Sequence, residues 1–205
     1  MLLEIVSWIT VALILVTATA MLTNADWRVN LGALALQYLA MFWLVTRHLP
    51  FAMGSAKLIT GWMVVAILGM TRLGLTNAEK DEDSFIPRAQ PFRIALMGIV
   101  ALVTTGASAR IETAIPGLGL PVIAGSLLLI GGGIIQLGVT TNLLRVILGL
   151  LTMLAGFEII YAAVESAILV TGLLALVNLG LGTVGAYLLL AGSSPLESKE
   201  EEDLL

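Results

Sequence analysis

The chain has no cysteine and a single histidine in its 205 residues. Thiolate zinc sites, iron–sulfur clusters and disulfide scaffolds are thereby excluded within it. Charge is scarce too: Asp, Glu, Lys and Arg make up 12% of the residues, where an ordinary globular domain carries about a quarter. The net charge is −4, and no segment carries a basic stripe, so no nucleic-acid partner is expected. Much of the negative charge sits in two short patches, 79–83 and 200–203. No nucleophile-plus-base pattern, phosphate loop or metal-ligand spacing is present. No catalytic residue, metal or cofactor is therefore assigned, and the chain on its own is not expected to be an enzyme.

What the chain does have is hydrocarbon. Hydrophobic residues make up 59% of it, and the mean hydropathy is +1.03. The charges cluster and leave runs of about 20 residues, the length that crosses a hydrocarbon core of ~30 Å at ~1.5 Å per residue. This predicts an all-α, polytopic transmembrane helical bundle in a lipid bilayer, with seven spans at about 2–22, 29–46, 51–70, 91–109, 118–139, 143–164 and 167–191. Residues 1–192 form one helical domain, and 193–205 read as a disordered acidic tail. The first run lacks a basic n-region and a clean cleavage site, so it reads as a retained span rather than a signal peptide.

Lys and Arg set the expected orientation. With seven spans, Arg28, Arg72, Lys80, Arg88, Arg93, Arg145 and Lys199 fall on one side, and only Arg47 and Arg110 on the other. The richer side is expected to be cytoplasmic, which puts the N-terminus out and the C-terminus in.

The polar residues inside the spans carry the functional signal. Glu158 lies within span six, and a carboxylate there costs roughly 2.5–3.5 kcal/mol on insertion scales. It is either used for proton exchange or satisfied structurally. Glu165 is seven residues on, on the same helical face, where a solvated interfacial charge is expected. Tyr161 is three residues from Glu158, on an adjoining ridge. Lys57 in span three either snorkels outward along its flexible stem or pairs with Glu158. Asn178 in span seven suits an interhelical hydrogen bond, and Gln37, Tyr38 and Gln136 admit similar readings. His48 is expected as an exposed loop ring. Gly131, Gly132 and Gly133 in span five fit either tight packing or a hinge.

Two stretches carry a family resemblance. Asn142-Leu143-Leu144-Arg145-Val146-Ile147-Leu148-Gly149, followed by Gly156-Phe157-Glu158-Ile159-Ile160 and a small-residue-rich span, resembles the hydrogenase-4 component E family. The last three spans also resemble the small NuoK- and MrpC-type subunits of complex I and of multisubunit cation/proton antiporters. Anchored on Asn-Leu-Leu, the NuoK-type glutamate falls on Leu151 and the component E-type acid near Leu154. Glu158 aligns through Gly-Phe-Glu-Ile with a shift of two turns, and Asn178 stands where the second acid would be.

The resemblance implies a non-catalytic membrane subunit of a respiratory, complex I- or hydrogenase-related assembly, beside antiporter-like partners in a prokaryotic inner membrane. In it Glu158, with Lys57, Tyr161, Glu165 and Asn178 as possible companions, would serve proton translocation or its coupling. The alternatives are a purely structural subunit and, behind it, a stand-alone transporter, although no convincing repeat relates the first three spans to the last four.

Overall fold

The computed structural model describes residues 2–75, 90–165 and 167–193. They form seven helices: α1 (Leu2–Thr23), α2 (Trp27–Val45), α3 (Phe51–Gly74), α4 (Gln90–Ala114), α5 (Leu120–Val139), α6 (Leu143–Val164) and α7 (Ile168–Ser193). All seven are long and apolar enough to cross a membrane, and no strand occurs among the described residues. The acidic patch at 79–83 and the tail beyond Ser193 lie outside them.

Local chemistry explains the helix ends. The Asp26 carboxylate caps α2 by accepting the Arg28 N–H at 2.9 Å, and the Asn142 side chain caps α6 by accepting the Arg145 N–H at 3.3 Å. Pro50 precedes α3, and Pro121 occupies the first turn of α5, where its missing N–H costs nothing. Between α4 and α5 the chain turns through Gly117 (φ 100°) and Gly119 (φ 85°), the left-handed region that favours glycine. Glu112 holds that turn by accepting both amides, at 3.4 Å and 3.0 Å. Hydroxyls inside the spans bond back along their own helix, as Ser7 does to Leu3 O at 2.9 Å and Thr17 to Leu13 O at 2.8 Å. No water is needed to satisfy them.

Some helices outrun their expected ends. α3 continues past Met70 to Gly74, and α4 past Ala109 to Ala114, through Arg110 and Glu112. Hydropathy marks where lipid stops, whereas backbone bonding continues until a cap or a turn residue ends it.

The helices pack in two rows. α1, α2 and α3 form one row, α5, α6 and α7 the other, and each helix of the first touches its counterpart in the second: α1 with α5, α2 with α6, α3 with α7. α4 packs on both α1 and α5 and closes that edge. Counterparts run parallel. A Cβ added at Gly125 would meet Val11 and Ile14, while one at Gly132, further along α5, would meet Ala18, further along α1.

Within the second row α5 and α6 approach backbone to backbone. A Cβ at Gly133 would lie 2.7 Å from Gly149 O, and one at Gly156 would lie 2.7 Å from Ser126 O. α5 is continuous through Gly131, Gly132 and Gly133, and each of the three faces a different neighbour: Val100 on α4, Ala18 on α1 together with Met97 on α4, and α6 itself. The outer faces are apolar, with Leu102 and Val103 on α4 and Leu169 and Leu176 on α7 exposed, as lipid contact requires.

Candidate functional site

The polar side chains of four helices meet where α2, α3, α6 and α7 converge. Glu158 sits six residues before the end of α6, and Lys57 six residues after the start of α3. Because α3 and α6 run in opposite senses, both lie at the same depth, about 9 Å from that end of the bundle by helical rise. Their side chains meet: Lys57 Nζ donates to Glu158 Oε2 at 2.6 Å, and each side chain is 2% exposed. α3 and α6 are not themselves adjacent, so the long lysine stem bridges them. Of the two readings open for Lys57, the pair is the one formed.

The pair does not satisfy the whole carboxylate. Glu158 Oε1 is buried and has no hydrogen-bond partner among the described residues. A second bond lies alongside, where Tyr38 Oη donates to Asn178 Oδ1 at 2.8 Å, both residues buried. Tyr38 fits here because Gly61 on α3 leaves room for its ring; a Cβ there would come within 2.3 Å of it. Deeper in the bundle, Thr152 Oγ1 donates to Gln37 Oε1 at 3.0 Å, and Gln37 Nε2 is buried without a partner among the described residues. The layer therefore holds a paired acid and base, two cross-helix bonds, and one orphan acceptor and one orphan donor.

The other expected residues lie elsewhere. Tyr161 is half-buried and stacks on the exposed Phe157 ring, centroids 6.2 Å apart, with the rings inclined at 30°. The tyrosine beside Asn178 is Tyr38, from a helix 140 residues away in sequence. Glu165 is exposed just past the end of α6, its N–H donating to Tyr161 O. His48 differs from the exposed ring expected. It is half-buried, and its Nε2 lies 3.0 Å from Leu118 O, tying the α2–α3 turn to the α4–α5 turn. A carbonyl can only accept, so Nε2 carries the proton. Beside it opens a polar cleft of about 760 Å³, lined in part by Glu4, Arg47, His48 and Glu112.

At the opposite end, two arginines close the carbonyl end of α1. Arg93 Nη1 donates to Leu22 O at 2.9 Å, and Arg145 donates to Asn24 O. Cations there complement the negative end of a helix dipole. Gln136 Nε2 donates to Arg145 O at 3.0 Å. Among the described residues no group of His, Cys, Asp and Glu could hold a metal ion.

Sequence reasoning singled out Glu158, Lys57 and Asn178 but left Tyr38 and Gln37 unassigned. The available signal was adjacency: two polar residues side by side in an apolar span. Compared with known proteins, the chain matches no family model, no curated protein and no solved structure.

Proposed function

We propose that this chain is a non-catalytic membrane subunit of a redox-driven, proton-translocating assembly of the complex I or hydrogenase-4 kind, and that Glu158 is its proton-exchanging group. The observation that carries the reading is the buried Lys57–Glu158 pair, with one carboxylate oxygen left without a partner among the described residues. Removing two charges from water costs several kcal/mol per ion, and a fully satisfied structural pair would recover more of that cost. Intramembrane ionisable groups of this sort are functional by default. Lys57 tunes the acid, and the Tyr38–Asn178 and Thr152–Gln37 bonds line the space around it.

The assembly class rests on the resemblance of 141–190 to hydrogenase-4 component E and to NuoK- and MrpC-type subunits. By that reading the partners are antiporter-like membrane subunits, the membrane is a prokaryotic inner membrane, and the arginine-rich end of the bundle faces the cytoplasm. E158Q tests the role. The expected result is a normally assembled complex with reduced proton pumping in sealed vesicles, and unchanged pumping by assembled mutant complex rejects it. Extraction in mild detergent tests the partners, which should co-purify as large antiporter-like subunits with a nickel–iron or NADH-oxidising module.

A second reading is favoured by the glycine contact of α5 with α6: a purely structural subunit that wedges between partners. It predicts normal pumping in E158Q and loss of assembly on bulky substitution at Gly131, Gly132 or Gly133.

A further inference from the structure

Among the described residues, three hydrogen bonds join side chain to side chain between helices: Lys57–Glu158, Tyr38–Asn178 and Thr152–Gln37. Each links a helix of the first row to a helix of the second. Inside the rows the side-chain bonds between helices go to backbone carbonyls, Trp62 to Ala35 O in the first row and Gln136 to Arg145 O in the second, and close packing dominates. Glycine lets α5 meet α6 backbone to backbone, Gly61 seats the Tyr38 ring within the first row, and Gly185 seats Ile147 within the second.

The interface between the rows is itself divided. Along α1 and α5 it is apolar, with Gly125 against Val11 and Ile14 and Gly132 against Ala18, and α4 spans that edge like a spine. Along α2, α3, α6 and α7 it is polar in the half of the bundle where α3 begins and α6 ends. Beyond the polar layer the α3–α7 part turns apolar again, at Gly182 against Val64, and at the far end Arg145 of α6 ties the second row to the α1–α2 connection at Asn24 O.

We propose that this interface is a proton-operated seam, in which neutralising Glu158 frees Lys57 and lets the rows shift apart at the polar end, pivoting on the α1–α5 edge and on the Val64–Gly182 contact. The inference rests on the reading of Glu158 as a proton-exchanging group and adds what the exchange does.

The step is a simple one. A proton adds to the Glu158 carboxylate, no other covalent bond changes, and the Lys57 ammonium loses its counter-charge. The ammonium then has to be solvated, and the nearest aqueous end is about 9 Å along α3 by helical rise, partly within reach of an extending lysine stem. Few other charges compete. At that end of the bundle Arg47 and His48 lie in the α2–α3 turn and Glu165 just past α6, all outside the buried layer. Within the layer α2 offers Tyr38, α3 Lys57 and α6 the half-buried Tyr161, while the buried Arg145 of α6 lies at the far end. α5 has no titratable side chain, and α7 has only Tyr187, exposed and further along the helix. The seam thus answers to one proton, and the motion is one that adjoining subunits could sense.

The chain has no native cysteine, so paired spin labels report without background. Two pairs suffice in the full-length chain in lipid nanodiscs. Ala52→Cys with Val164→Cys spans the rows at the polar end, and Leu120→Cys with Val164→Cys lies within the second row. All three positions are exposed and outside the polar layer. Introducing E158Q should shift the cross-row distance by about 2–5 Å, the scale of helix displacements in switching proteins, and leave the within-row distance unmoved. An unmoved cross-row distance in E158Q overturns the inference. If E158Q does not fold, the labelled pairs are read with Glu158 intact at neutral and at acidic pH, where the same cross-row shift is expected and its absence overturns the inference. The outcomes separate the two proposals. Lost pumping with an unmoved seam sinks the seam alone, whereas a moved seam with intact pumping sinks the proton role of Glu158 and leaves a charge-held seam that no proton operates.

Discussion

Two contacts in this bundle show opposite solutions to holding helices together in lipid. The α5–α6 contact uses absence of volume: Gly133, Gly149 and Gly156 let backbones approach until van der Waals packing and backbone dipoles do the work. The α3–α6 contact uses charge across a gap, with Lys57 reaching Glu158 between helices that do not touch. The first should be indifferent to protons and intolerant of size. The second should tolerate changes of size but depend on charge. A close-packed contact has one arrangement, while a charge pair has two, according to its proton. That difference is why the proposed proton role is assigned to the pair and not to the glycine contact.

The largest expected effect tests the charged contact. Lys57→Ala leaves Glu158 buried without its partner, a change that costs about 3–5 kcal/mol in comparable sites. Thermal unfolding in mild detergent should register it as a pronounced loss of stability, and wild-type stability would mean that the pair is solvated. Gly156→Ala comes next. Its Cβ would stand 2.7 Å from Ser126 O, and overpacking of this kind costs about 1–3 kcal/mol. Monodispersity and melting temperature check it, and its effect should not depend on pH.

Replacing both charges, as Lys57→Met with Glu158→Leu, should cost close to nothing or even stabilise the bundle, because the desolvation of two ions disappears. The same variant should lose proton translocation. Retained pumping would assign the pair to packing. Among single substitutions the smallest loss belongs to the neutral bonds. Tyr38→Phe removes the donor to Asn178 while keeping the ring against Gly61, and an interhelical hydrogen bond in a membrane averages about 0.6 kcal/mol. A much larger loss in unfolding measurements would place Tyr38 among the groups that hold the Lys57–Glu158 pair.

The number of helices and their approximate spans were legible because hydropathy and length are local properties, readable one window at a time. Glu158 and Lys57 stood out for the same reason, as charges in oil. Tyr38 and Gln37 did not stand out, because a tyrosine or a glutamine in a span is satisfied equally well by lipid headgroups, by its own helix or by a neighbour. His48 was misjudged because a residue in a loop between spans reads as solvated until another loop folds over it.

Composition and spacing thus determined that this chain is a bundle of membrane-crossing helices with a few costly polar groups, since the bilayer imposes its thickness on every span alike. Which groups meet was decided only in three dimensions. Lys57 and Glu158 are 101 residues apart and Tyr38 and Asn178 are 140 apart, and apolar helices are interchangeable neighbours as far as hydropathy can tell. The shapes left by glycine, at Gly61 for the Tyr38 ring, at Gly133 for the α6 backbone and at Gly156 for the α5 backbone, select one arrangement of the helices within each row. That arrangement brings the charges together.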